Sequence, residues 1–527
     1  MVVCSGNKGE VNMQKKQLKG VYNILFSIVY KLISVFVSFI IPRLFIMNYG
    51  SEINGLQGSV AQIFTYIGLL EAGIGDASVQ ALYRPLNEKD YKKANGILAA
   101  TSGYYNKISV LYFVILTIVC IIYSNTVSVV SVDTPTVFLY IMLYGSVTGI
   151  NFLYWSKINV LMRASGELYV LSILNIISYL INNALKVIII VKCWNIVWIQ
   201  VGYFAVSIFC TMLCYFYVKK HYRWLNLSSQ PDKVAIKKKN YALAHNVNYV
   251  IFSSIDITIL TFFCNLKIVS VYTTYRMIVS ALAGVTTPFI DGITFILGQN
   301  FKEEDKEQYG NIIDTVDVCY SAFAFALFTV MYILMQPFMK LYTKDFSDAN
   351  YILEYIPILY VSIELLTVGR EAMNRTVNVS GRFKETWKIA VTETIINVTV
   401  SLIAVFIGLF VFKKQEYALY GVLLGTIISM LYRTIAINVF ANKKILNRSS
   451  KFSFKIIFVN LIIFLGIAYV AKKVLPVITS YKSLFLVAVP LTVITEIVFF
   501  AIQLTLNRKQ AKLILGSLKG VKKSNGK

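Results

Sequence analysis

The chain is poor in the groups that soluble enzymes use. Only 26 of its 527 residues are Asp or Glu, only two are His, and charged residues of every kind amount to 15%. A soluble globular chain carries about 25%. His221 and His245 have no acidic or cysteine partner at ligand spacing, so no metal site and no metal catalysis are expected. The seven cysteines are scattered without a CxxC, and Cys210 and Cys214, one helical turn apart, read as packing rather than redox chemistry. The short alternating segments of a membrane barrel are missing. The first 20 residues are polar, and the apolar stretch after them (21–46) is long and lacks a small-residue cleavage site. The start therefore does not read as a cleavable signal.

What is abundant is apolar sequence: 57% of residues, with mean hydropathy +0.65. It comes in blocks long enough to cross a hydrocarbon core, which takes about 20 residues of helix. Backbone amides in lipid must be satisfied within the segment, so such blocks are helices. The expected fold class is all-α, a polytopic membrane protein with about fourteen transmembrane helices. The spans are expected near 21–46, 55–83, 96–123, 135–162, 168–191, 196–218, 241–264, 268–297, 311–336, 351–378, 387–411, 418–441, 455–475 and 484–506.

The net charge of +25 lies in the loops between these blocks, not on a surface suited to nucleic acid. Loops of one set (1–20, 84–95, 163–167, 219–240, 298–310, 379–386, 442–454, 507–527) hold 31 Lys and Arg, and those of the other set hold 7. Basic loops mark the cytoplasmic side, which puts both termini inside.

An internal duplication is visible at an offset of 215 residues: Asp76 and Asp291, Asp90 and Asp305, Asn159 and Asn374, Asn182 and Asn397, and Ser165-Gly166 with Ser380-Gly381. The offset slips to 219 at Gly202 and Gly421. Each copy holds six spans, an even number, so both sit the same way up, with a substrate site expected between them. The expected organisation is a cytoplasmic segment 1–20, a six-helix bundle 21–218, a basic linker 219–240, a second six-helix bundle 241–441, two extra helices within 455–506 and a basic tail 507–527.

Ionisable groups inside spans are costly, which makes them functional candidates. In the first span Asn23, Ser27, Lys31, Ser34 and Ser38 fall on one helical face. Lys31 lies about ten residues in, roughly 15 Å deep, further than its side chain snorkels, which favours a wet cavity. In the eighth span Thr273, Arg276, Ser280, Thr287 and Asp291 share a face, and Arg276 could alternatively pair with Asp256. In the tenth, Glu371 and Arg375 stand one turn apart and neutralise each other, whereas Arg370 has no such partner. Asn175, Ser178, Asn182 and Lys186 share a face of the fifth span, and Glu393, Asn397 and Ser401 share one of the eleventh. Lys157 and Lys186 lie near span ends and are expected to snorkel. Asp76 and Asp291 read as gate or packing groups near the inner face, and Glu71 lies deeper beside Gly73 and Gly75. The deep cations Lys31, Arg276 and Arg370, with Asn23, Ser27 and Ser34 beside Lys31, suit an anionic, hydroxyl-rich substrate.

Three stretches carry a family resemblance: Tyr49-Gly50 through Gly55-Leu56, Leu69 to Gly75, and Ala81 to Asp90. Together with Tyr272 to Ile278 and Gly298-Gln299, they resemble bacterial polysaccharide and oligosaccharide flippases of the O-antigen, capsule or teichuronic-acid type. These belong to the multidrug/oligosaccharidyl-lipid/polysaccharide exporter superfamily, which also holds lipid II flippases and multidrug exporters. The likeness spans nearly the whole chain, but no single motif in it is diagnostic. It implies a non-enzymatic transporter of the bacterial plasma membrane, moving an undecaprenyl-diphosphate-linked glycan outward by alternating access among membrane lipids and other glycan-assembly proteins. It also implies cavity cations at Lys31 and Arg276. Some relatives use sodium or proton coupling, for which Asp256 and Glu393 are the candidates; no other cofactor is implied.

Two rivals stand beside this reading. A multidrug exporter of the same fold would want acidic cavity groups, which Lys31 argues against. A membrane-embedded glycan polymerase or ligase would show a large outer loop with Arg or His, which 337–350 lacks.

Overall fold

A computed structural model describes residues 6–71, 74–127, 129–232, 240–301, 305–514 and 516; the side chains of Asn23, Ser27, Lys31 and Asp76 lie outside the described set, as does Gly73. All regular structure among the described residues is helical. The chain divides into two compact units, 1–262 and 263–527.

The first unit starts with α1 (Gly6–Ile67), which joins the first expected span to the beginning of the second. Gly50, at φ 84° and ψ 169°, kinks it in a conformation that a side chain would strain. A 3-10 turn, Gly68–Glu71, then ends the run before α2 (Ile74–Asn87) begins. Next come α3 (Tyr91–Thr126), α4 (Thr134–Ile150), a π turn at Asn151–Trp155 and α5 (Ser156–Ala164), followed by α6 (Leu168–Val191), α7 (Val197–His221) and α8 (Asn240–Phe263). The repeat puts α8 at the head of the second copy, yet it packs with the first unit. Tyr66 and Thr258 hydroxyls bond at 2.9 Å, Thr261 donates to Ser59 at 2.9 Å, and Gln62 donates to Ser254.

The second unit holds α9 (Leu266–Asn300), α10 (Lys306–Tyr342), α11 (Ile356–Val379) and α12 (Phe383–Phe406). It continues with α13 (Gln415–Phe440), α14 (Lys451–Val474) and α15 (Tyr481–Leu506). Pro288 sits inside an unbroken α9. α10 packs against α9, α11, α14 and α15, so the two C-terminal helices are seated on it. α14 turns Phe458, Ile462, Leu465 and Tyr469 outward in one stripe, as a helix facing lipid does.

Among the described residues ten helical segments are long and apolar enough to cross a membrane, and with the all-helical fold they define a multi-pass membrane protein. Charge explains one expected span outside those ten: α11 carries Glu364, Arg370, Glu371 and Arg375. Loop contacts within each unit follow the expected alternation. Glu52 accepts from the backbone of Val130 and Ser131, and Tyr49 donates to Trp194, which gathers 47–54, 124–134 and 192–195. Asn95 bonds Trp224 and Asn226, joining loops of the other set. In the second unit Gln415 accepts from the Asn265 amide, and Arg448 donates to the Gly310 carbonyl at 3.3 Å while gripping Asp314 at the start of the next expected span.

Two of the pairs at the 215-residue offset share a local geometry. Asp90 caps α3 by accepting from Lys93 N, and Asp305 caps α10 by accepting from Gln308 N, both at 3.0 Å. Gly166 and Gly381 end α5 and α11 at φ 73° and 69°, the left-handed turn glycine takes most cheaply.

Candidate functional site

In the second unit the charges of α9, α11, α12 and α13 form one network. Arg370, with no partner at helical spacing, finds one across helices: its Nη1 lies 3.0 Å from Glu393 Oε1. Arg433 takes the other oxygen, so the fully buried Glu393 sits between two guanidiniums. That engagement leaves Glu393 little freedom to hold a coupling cation. Arg375 bridges Asp291 at 2.8 Å and Glu371 at 2.7 Å, giving Asp291 its packing partner. The charges of Arg276 and Arg370 both act on Glu364. Arg370, Arg375 and Arg433 are thus matched by Glu393, Asp291 and Glu371, so Arg370 is not an uncompensated cation. On α9, Arg276 and Thr273 are partly buried while Ser280, Thr287 and Asp291 are exposed, so the polar stripe is open along most of its length.

The polar face of α12 serves packing. Asn397 donates to Thr426 at 2.9 Å, and Ser401 meets α13 where Gly425 leaves no room for a Cβ. At Gly421 a Cβ would stand 2.9 Å from the Ala404 backbone. Gly421 and Gly425 are four apart, the spacing that lets membrane helices approach closely.

The first unit treats the matching face in the opposite way. Asn175, Ser178, Asn182 and Lys186 of α6 line a cavity of about 390 Å³, with Gln57 of α1 and Tyr203 of α7. A second space of about 130 Å³ adjoins it through Asn175, Ser178 and Tyr203 and reaches the π turn at Asn151 and Trp155. Lys186, expected to snorkel, turns inward instead: Nζ donates to Gln57 Oε1 at 3.1 Å and stands 5.2 Å from the centre of the Phe45 ring. Lys157 donates to Asn106 at 2.6 Å.

The remaining candidates are dispersed. Glu71 accepts from Tyr105 at 2.8 Å, a helix-to-helix tie in the first unit. Asp256 is buried in the first unit, close enough to Tyr66 to act on it. Ser34, partly buried, accepts at its backbone carbonyl from Tyr179. Asn23, Ser27, Lys31 and Asp76 are candidates outside the described side chains. Two groups escaped the sequence reading. Arg433 is a mid-helix charge, which a scan for intramembrane ionisable residues would find. Glu496 of α15 has both carboxylate oxygens buried without a hydrogen-bond partner. Among the described residues no cluster of three His, Cys, Asp or Glu could hold a metal ion.

Solved structures share this all-helical membrane fold. The chain is similar to a multidrug resistance MATE family transporter of the MOP superfamily, inward-facing (TM-score 0.59, 12% identity, 78% of this chain and 94% of that one) and outward-facing (0.57, 13%, 80% and 95%). It is also similar to the lipid II flippase MurJ in an inward closed conformation (0.60, 14%, 92% and 99%). The fold is therefore that of MOP superfamily transporters. No protein-family model matches the chain, and no curated protein does.

Proposed function

We propose that this protein is a flippase that carries a polyprenyl-diphosphate-linked oligosaccharide unit from the inner to the outer leaflet of a bacterial plasma membrane by alternating access, with both termini cytoplasmic. The observation that carries the reading is the extent of the likeness to the lipid II flippase, 92% of this chain, against 78–80% for the multidrug transporters. The residue chemistry supports it too. Carrying a diphosphate through low dielectric requires compensating positive charge, for which Lys31 and Arg276 are the proposed groups, with Asn23, Ser27 and Ser34 beside Lys31. Arg370 is engaged by Glu393 and drops out of that set.

A deletion strain tests the reading: lipid-linked sugar should accumulate inside while surface glycan falls, and the wild-type gene should restore both. Normal glycan with raised sensitivity to cationic drugs would overturn it in favour of a multidrug exporter. The balanced charges of the second unit are what favour that alternative.

A further inference from the structure

We propose that the cavity inside the first unit is a binding site for an acidic sugar residue, a pyranose bearing one carboxylate. Three observations meet there. The first is an uncompensated cation: among the described residues Lys186 has no carboxylate partner, only the Gln57 amide oxygen and the Phe45 ring. A lysine withdrawn from water at such a site is stabilised by an anion. The second is a wall of paired donors and acceptors: Asn175, Ser178, Asn182 and Asn183 line the cavity together. Amides and a hydroxyl both donate to and accept from sugar hydroxyls, an exchange that a halide or acetate offers only in part. The third is size and lining. About 390 Å³ is the scale of a small-molecule pocket, and amides with the Tyr203 ring suit vicinal hydroxyls and the apolar face of a pyranose.

The second copy argues that this space is not a by-product of the fold. At the equivalent place α13 presses Gly421 and Gly425 against α12, and Asn397, partner of Asn182 in the repeat, is bonded to Thr426. Gly202, partner of Gly421, meets nothing closer than Leu185 Cδ1 at 3.6 Å. The same polar face is thus closed in one bundle and open in the other, and the open one holds the lysine.

The assignment of a sugar ligand deepens the flippase reading and rests on it for its biological source, but binding is measured without transport. Purified full-length protein in lipid nanodiscs is titrated with radiolabelled glucuronate, with unlabelled glucuronate, glucose and acetate as competitors. Saturable binding displaced by glucuronate, and far less by glucose or acetate, is expected. Lys186→Met should weaken it about tenfold to a hundredfold, the value of one hydrogen bond to a charged group. Lys186→Arg should keep most of it, and Asn182→Ala, which leaves the charge in place, should weaken it with intact size-exclusion behaviour. Equal competition by acetate would mean a bare anion site and overturn the sugar assignment. Undiminished binding by Lys186→Met, or no saturable binding by well-folded wild type, would overturn the site. Binding without accumulation of lipid-linked sugar in the deletion strain would instead overturn the flippase reading and leave the site standing.

Discussion

Glu393 has no water to turn to and depends on Arg370 and Arg433 for its charge, as they depend on it. Removing one member of a buried ion cluster leaves the others unpaired at a cost of about 3–5 kcal/mol. Glu393→Gln should therefore lower the melting temperature of the detergent-solubilised protein sharply, whereas replacing the three charges together with apolar residues should recover much of the loss. A melting temperature unchanged in Glu393→Gln would mean the cluster holds nothing together. Lys31 and Arg276 are expected to behave differently: Lys31→Met and Arg276→Ala should abolish glycan export at normal membrane abundance, and Lys31→Arg should keep part of it. Surface glycan and accumulated lipid-linked intermediate, measured together, decide this, and normal export by Lys31→Met would remove that residue from the substrate path. At this scale the sequence was legible for pairs one helical turn apart, such as Glu371 and Arg375. The Arg370–Glu393 pair spans 23 residues and two helices, and no periodicity within one helix reports it.

Helices were the most legible level, because a run of apolar residues has one stable form in lipid. The starts of α3 and α10 were written in Asp90 and Asp305, and the ends of α5 and α11 in Gly166 and Gly381. Three π turns were not legible, since a single inserted residue leaves the apolar pattern almost unchanged. Nor was the fate of a polar face: Asn182 and Asn397 look alike in sequence, and only the packing of the next helix distinguishes a cavity from a seam. Glycine decides that packing and offers a paired test. Gly421→Ala should cost about 1–3 kcal/mol by forcing α12 and α13 apart. Gly202→Ala, with its nearest neighbour at ordinary contact distance, should be neutral or gain up to about 1 kcal/mol of helix propensity. Equal melting temperatures for the two variants would contradict the difference in closeness.

For the whole molecule, the asymmetry of loop cations predicts sidedness: a cysteine at position 230, in a background without native cysteines, should resist membrane-impermeant reagents in intact cells, and one at position 131 should react. Efficient labelling at 230 would invert the topology. The grip of Arg448 on Asp314 bears on how the chain is made. The two residues are 134 apart, and a ribosome adding about 5–20 residues each second delivers the guanidinium roughly 7 to 27 seconds after the carboxylate. Through that interval α10 has neither its charge partner nor the two helices that will cover it. The nascent protein spends it with an acidic, half-finished surface on α10.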